Sequence, residues 1–133
     1  MSCPQSSAGP KILVRGIRGA TTVDKDEPHL ISKAVRELLL AMQEANGFKP
    51  DDLACIFFTL TPDLKSSFAA QAARELGWTA VPLIDLLQAP VETGLKRCIR
   101  VLALWNTSLD PDEIRHVYLH EASDLRPDLA QRR

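Results

Sequence analysis

The run Leu53-Ala54-Cys55-Ile56-Phe57-Phe58-Thr59-Leu60 constrains this chain more than any other stretch. It is apolar at nearly every position and rich in β-forming residues. Successive side chains of a strand point to opposite faces, so such a run predicts a central strand buried on both. The chain offers two helices to cover it. The first carries Ile31, Ala34, Val35, Leu38, Leu39 and Met42 on one apolar stripe. Asp24 or Asp26 is its expected N-cap, and Asn46-Gly47 its left-handed stop. The second turns in at Thr61-Pro62-Asp63, runs through Phe68, Ala72, Ala73 and Leu76, and stops at Gly77. Further strands are predicted at residues 11–18, 80–84, 95–105 and 116–121, with Gly16 and Gly19 allowing close backbone approach. An irregular connection spans 85–93, and Asp110-Pro111-Asp112 caps a single helical turn. The fold class is therefore α/β (α+β), a mixed β-sheet with two main helices on one face. The second face of so apolar a strand needs a further cover.

Two arginines interrupt the apolar strands. Arg18 follows Ile12-Leu13-Val14-Arg15-Gly16-Ile17, and Arg100 lies in Cys98-Ile99-Arg100-Val101-Leu102-Ala103. A guanidinium cannot shed its proton, so at such a position it must meet a fixed anion or reach water. Pairing with an internal carboxylate, or snorkelling to the surface, is the ordinary solution. Joined by Arg74 and Arg126, the two also fit a pocket for a small molecule with more than one carboxylate.

The 133 residues are one domain's worth, and 45% hydrophobic with 25% charged is the composition of a soluble globule. The 16 basic and 17 acidic residues sum to a net charge of -1, which gives no broad field for nucleic acid or an anionic membrane surface. No apolar run approaches the ~20 residues of a membrane-spanning helix. Residues 1–10 read as a flexible N-terminal extension, without the features of a secretion signal. Residues 11–121 read as the single domain and 122–133 as a polar tail. Cys3, Cys55 and Cys98 fit no metal or redox spacing and are expected as reduced thiols in the cytoplasm. His116 and His120 flank a strand-like run, where four residues span roughly 13 Å, too far for one metal ion. No cofactor or metal is expected.

The wording around the arginines adds a resemblance. Arg15-Gly16-Ile17-Arg18-Gly19-Ala20-Thr21-Thr22-Val23 resembles the opening of the monofunctional, trimeric chorismate mutases of the AroH class. So do Thr61-Pro62-Asp63-Leu64, Ala73-Arg74-Glu75-Leu76, Leu95-Lys96-Arg97-Cys98-Ile99-Arg100-Val101, Ile114-Arg115-His116-Val117-Tyr118-Leu119 and Leu125-Arg126-Pro127-Asp128-Leu129. The blocks stand in the family's order and cover the chain from about residue 13 to 129. The resemblance implies a pseudo-α/β-barrel homotrimer with active sites between subunits. It also implies the cofactor-free rearrangement of chorismate to prephenate in phenylalanine and tyrosine biosynthesis. A non-catalytic sensor of chorismate or a related dicarboxylate is the alternative.

By matching position, the resemblance makes Arg100 the catalytic cation facing the breaking ether oxygen. Arg18 and Tyr118 become carboxylate ligands, and Arg74 a further basic residue at the mouth. Phe68, Ala70, Leu83 and Ile84 would form an apolar wall, and the tail with Leu125 and Arg126 a cover. The family's Cys and Glu for the substrate hydroxyl are replaced by Asp85 and Gln88, and its helix Lys by Gln71. An ionised Asp accepts hydrogen bonds only, so Asp85 is expected to take the hydroxyl, with Gln88 assisting.

Overall fold

The computed structural model describes residues 11–126. The expected N-terminal extension, Cys3 and the tail from residue 127 onward lie outside the described residues. Strands β1 (Leu13–Thr22), β2 (Leu53–Leu60), β3 (Leu83–Leu87), β4 (Cys98–Thr107) and β5 (Val117–Tyr118) form a mixed sheet in the order β3-β2-β4-β1-β5. The β1–β4 and β2–β4 pairs are antiparallel, while β2–β3 and β1–β5 are parallel. Helices α1 (Pro28–Asn46) and α2 (Ala70–Glu75) lie against one face.

That face is a dry core. Ile17, Ile56, Phe58, Ile99, Val101, Ala103 and Trp105 meet Ile31, Val35, Leu38, Leu39 and Met42 of α1. Fully burying one such side chain stabilises the fold by roughly 1.5–3 kcal/mol. Gly19 is what lets α1 approach β1, because a Cβ there would collide with Met42 Sδ and lie 3.3 Å from Leu38 Cδ1. Phe48 closes one end, edge-on to Trp78 and Trp105. Gly47, at φ 77°, ends α1 with its N–H on Gln43 O, the left-handed stop expected from Asn46-Gly47.

Several elements differ from expectation for identifiable reasons. The N-cap of α1 is Glu27, with Pro28 starting the helix. Asp26 instead accepts the N–H groups of Lys65 and Ser66, pinning the loop after β2. The second helix is only six residues long and begins after Phe68, which is exposed. β1 runs on through Gly19-Ala20-Thr21-Thr22, because β4 supplies ten consecutive partners. The third strand lies later than predicted, since Pro82 can only accept, from Ile56 N–H, and the parallel ladder starts at Leu83. Asp85 is thus on a strand, not in an irregular connection. β4 starts at Cys98 and ends at Thr107.

The run 116–121 is not one strand. Only Val117 and Tyr118 pair with β1; His120 then takes φ 54° and starts a 3₁₀ turn, His120–Asp124. Within the part of the tail that is described, Ala122 and Leu125 pack on Ala20 and Tyr118. The two histidines go to separate partners, His116 to Arg18 N–H and His120 to Glu37.

β2 is buried on one face only. Leu53, Ile56, Phe58 and Leu60 are buried, whereas Cys55, Phe57 and Thr59 on the other face are half-buried. Nothing from the described chain covers that second face beyond the segment around Tyr118 and Leu125.

Candidate active site

Both strand arginines project from this uncovered face. Counting by two from the buried Ile17 and Ile99 puts Arg18 and Arg100 on the opposite side. Ala20 pairs with Arg100 and Arg18 with Leu102. The arginines are therefore diagonal neighbours on adjacent strands, and such neighbours stand about 7–8 Å apart, within reach of long side chains. Arg100 is flanked on its other side by Thr59 of β2. Both are exposed, and among the described residues neither forms an ion pair with a carboxylate.

They open into a cleft of about 530 Å³. Tyr118, Leu125 and Arg126 complete the rim beside Ala20, while Phe57, Leu86 and Leu102 form the apolar floor. Tyr118 is held by the parallel pair Ala20↔Tyr118 and by the Leu119 N–H on Ala20 O. Among the described residues, three guanidiniums line the cleft and no carboxylate does. Nor do those residues bring a histidine, thiol or amine to move a proton or attack a carbon. Cations, hydroxyls and apolar surface suit binding and electrostatic stabilisation of an anion.

The start of β4, two residues before Arg100, is fixed tightly. Arg97 adopts φ 47°, costly for a non-glycine residue. Its N–H meets both oxygens of Asp63 at 3.1 and 3.0 Å, and its Nε donates to Val23 O. Thr61 Oγ1 accepts Cys98 N–H and donates to Asp63. The Cys98 thiol is pushed up by burial, an effect opposed by the nearby Arg100 guanidinium.

The remaining expected site residues are elsewhere. Gln88 lies in an adjoining hollow that shares Arg100, and its Oε1 is 3.4 Å from the Thr59 hydroxyl. Asp85 is on the other face: its carboxylate accepts Ala69 N–H at 2.9 Å and Ala70 N–H at 3.2 Å. It anchors the start of α2, and burial pushes its pKa up against the lowering effect of those bonds and of Arg74. Within one chain, a group so placed does not line the arginine cleft. Phe68, Gln71 and Asp85 line a separate hollow that meets the cleft only at Leu86. Arg74 stands exposed at the end of α2. Ala70 is buried, Leu83 packs on the core, and Ile84 is exposed on the arginine face. Sequence reasoning missed Phe57, Thr59, Leu86 and Leu102; the alternation that exposes Arg100 carries Leu102 with it, and the strand pairing adds the others.

A five-stranded mixed sheet with helices on one face and an arginine-lined cleft on the other defines a small enzyme-like α+β fold. The chain belongs to the family of chorismate mutase type I, whose model matches residues 14–129. It is 56% identical over 118 residues to chorismate mutase AroH of Thermus thermophilus, covering 88% of this chain and 97% of that one. The chorismate mutase AroH of Bacillus subtilis (strain 168) is 44% identical over 120 residues, covering 90% and 94%. The solved structure of a chorismate mutase from Clostridium thermocellum superposes with a TM-score of 0.81 at 42% identity, covering 82% of this chain and 97% of that chain.

Proposed function

We propose that this protein converts chorismate to prephenate through the arginine cleft. The observation that carries the reading is a cleft with three guanidiniums and, among the described residues, no general base, in a chain of this family. The rearrangement breaks an ether bond and forms a carbon–carbon bond in one molecule, so no proton donor or nucleophile is needed. What lowers the barrier is holding the side chain over the ring and stabilising charge growing on the ether oxygen. In this reading Arg100 serves that oxygen, Arg18 and Tyr118 bind the carboxylates, and Leu125 and Arg126 form the cover. Gln88, beside Arg100, is the group for the ring hydroxyl, which its amide oxygen accepts.

Arg74 and Phe68 belong to the same reaction only if another copy supplies them. We infer a homotrimer in which α2 of one subunit closes the arginine cleft of the next. Support comes from apolar side chains left exposed on the arginine face and its edge, Ile84, Leu86 and Leu102, together with Phe68. Among the described residues nothing covers this surface, and exposed apolar patches of this kind mark interfaces. The protein is proposed to act in the cytoplasm; among the described residues no helix is long and apolar enough to cross a membrane.

The direct test follows loss of chorismate absorbance with purified protein, chelator and no added metal. Turnover to prephenate is expected; an inert protein, or one that needs a metal or nucleotide, would sink the reading. Mixing inactive Arg100→Ala and Arg74→Ala subunits should restore part of the activity, whereas full activity in a monomer at nanomolar concentration excludes a shared site.

A further inference from the structure

Tyr118 and Arg18 reach the cleft from segments that share very little ladder. β5 is two residues long, pairing only Gly19↔Val117 and Ala20↔Tyr118. A hold that short is weak, and it must fix a phenol and a guanidinium relative to each other. One further bond crosses this seam at its start: the Arg18 backbone N–H donates to His116 Nδ1 at 2.9 Å. The Leu119 N–H on Ala20 O closes the other end at 2.9 Å. His116 stands where the next strand bond would fall, and its ring takes the place of a backbone acceptor.

We propose that His116 is a positioning residue, whose neutral Nδ1 locks the β1–β5 seam and so sets Arg18 and Tyr118 at their working separation. This rests on the proposed chorismate mutase reading of the cleft. Only the neutral ring with its proton on Nε2 can accept at Nδ1. The surroundings favour that form: burial first, then the Arg18 and Arg126 guanidiniums, hold His116 below the ordinary imidazole value. Arg15 of β1 lines the same hollow, its Nε engaged with Leu109 O. The next turn carries Asp112 and Glu113, both exposed, and Glu113 Oε1 is occupied by Asp110 N–H. On α1, Glu37 is turned to His120. Protonation would replace an acceptor by a donor facing the Arg18 N–H, and would add a cation beside two arginines.

The sign follows. As pH falls through the depressed His116 value, the seam loosens, while the carboxylates of chorismate stay ionised down to about pH 4. KM for chorismate should therefore rise on the acid side, with kcat changing less. His116→Leu should raise KM at neutral pH roughly tenfold, the scale of one lost hydrogen bond with an orphaned donor, and should abolish the acid rise. His116→Asn can present an oxygen near the Nδ1 position; it should keep KM near the wild-type value and be flat with pH. The Arg18 amide resonance, followed by NMR in the wild-type protein, should titrate with the same midpoint as the His116 ring. A wild-type KM in His116→Leu would overturn the proposal, as would a persistent acid rise in folded His116→Asn or an Arg18 amide that ignores the His116 titration. The amide measurement decides the seam even if chorismate is not turned over, a result that would sink the functional reading alone. It also decides if His116→Leu fails to fold.

Discussion

The two faces of the sheet are built from the same strands and obey opposite rules. On the helix face, Ile17, Phe58, Ile99 and Val101 alternate into a dry core, and even a methyl group at Gly19 would not fit. On the other face Arg18, Thr59, Arg100 and Leu102 stand in open positions one residue away along the same strands. The first set is chosen for packing, where volume decides. The second set contributes little to folding of the single chain, so its charges and shapes answer to something that binds. A substitution on the helix face should therefore be read in stability, and one on the arginine face in turnover.

Phe58→Ala should break the fold most severely, by roughly 3–5 kcal/mol, measured by denaturant unfolding. If it kept wild-type stability, the helix face would not be the core. Arg100→Ala should leave the melting temperature in place and remove about 3 kcal/mol of transition-state stabilisation, seen as a loss of two or more orders of magnitude in kcat. Arg100→Lys should also be severely impaired, because a single ammonium lacks the fork that serves two oxygens. Near-normal turnover in the lysine variant would give Arg100 another task.

Smaller effects sharpen the division. Gln88→Ala should cost about 1–1.5 kcal/mol in kcat/KM through one lost hydrogen bond with no change in stability, while Gln88→Glu should be tolerated. Asp85→Ala should do the reverse: about 1 kcal/mol of stability from the lost anchor of α2, and little change in kcat. Asp85→Asn keeps an acceptor for the Ala69 and Ala70 N–H groups without the half-buried charge. The folded Asp85 pKa is raised, so the protonated Asp85 carboxyl adds stability below its unfolded value, and that contribution is lost as pH rises through the folded one. Asp85→Asn should thus match or exceed wild-type melting at pH 7, with the gap closing as acid protonates Asp85. A melting difference that widened on acidification would contradict this.

The sequence made the sheet, the first helix, its stop at Gly47 and the pair Arg18 and Arg100 legible, because long apolar stripes and charges that interrupt apolar runs are strong local signals. Asp85 was not legible. A one-residue shift of register moves a side chain to the opposite face, and the five residues of β3 carry apolar groups on both sides, so nothing local fixed its direction. The decisive factor is remote: the start of α2 needed an acceptor for Ala69 and Ala70. α2 itself read as longer because Phe68 fits a helical stripe, yet it lies exposed ahead of the helix. Gln88 and Thr59 meet only through the β2–β3 pairing, which a linear reading does not contain.

The long β1–β4 ladder has a consequence for synthesis. Leu13 pairs with Thr107 and Thr22 with Cys98, far apart in the sequence. Because the chain emerges from the ribosome N-terminus first, β1 is made before β4 and must wait, unpaired on that side, until residues 98–107 have been translated. Its other neighbour, β5, comes later still. Arg18 is among the first cleft residues to be synthesised, and Tyr118 and Arg126 are the last. Pairing over such separations closes slowly, so a chain stalled before β4 carries Arg18 without Arg100, Tyr118 or Arg126.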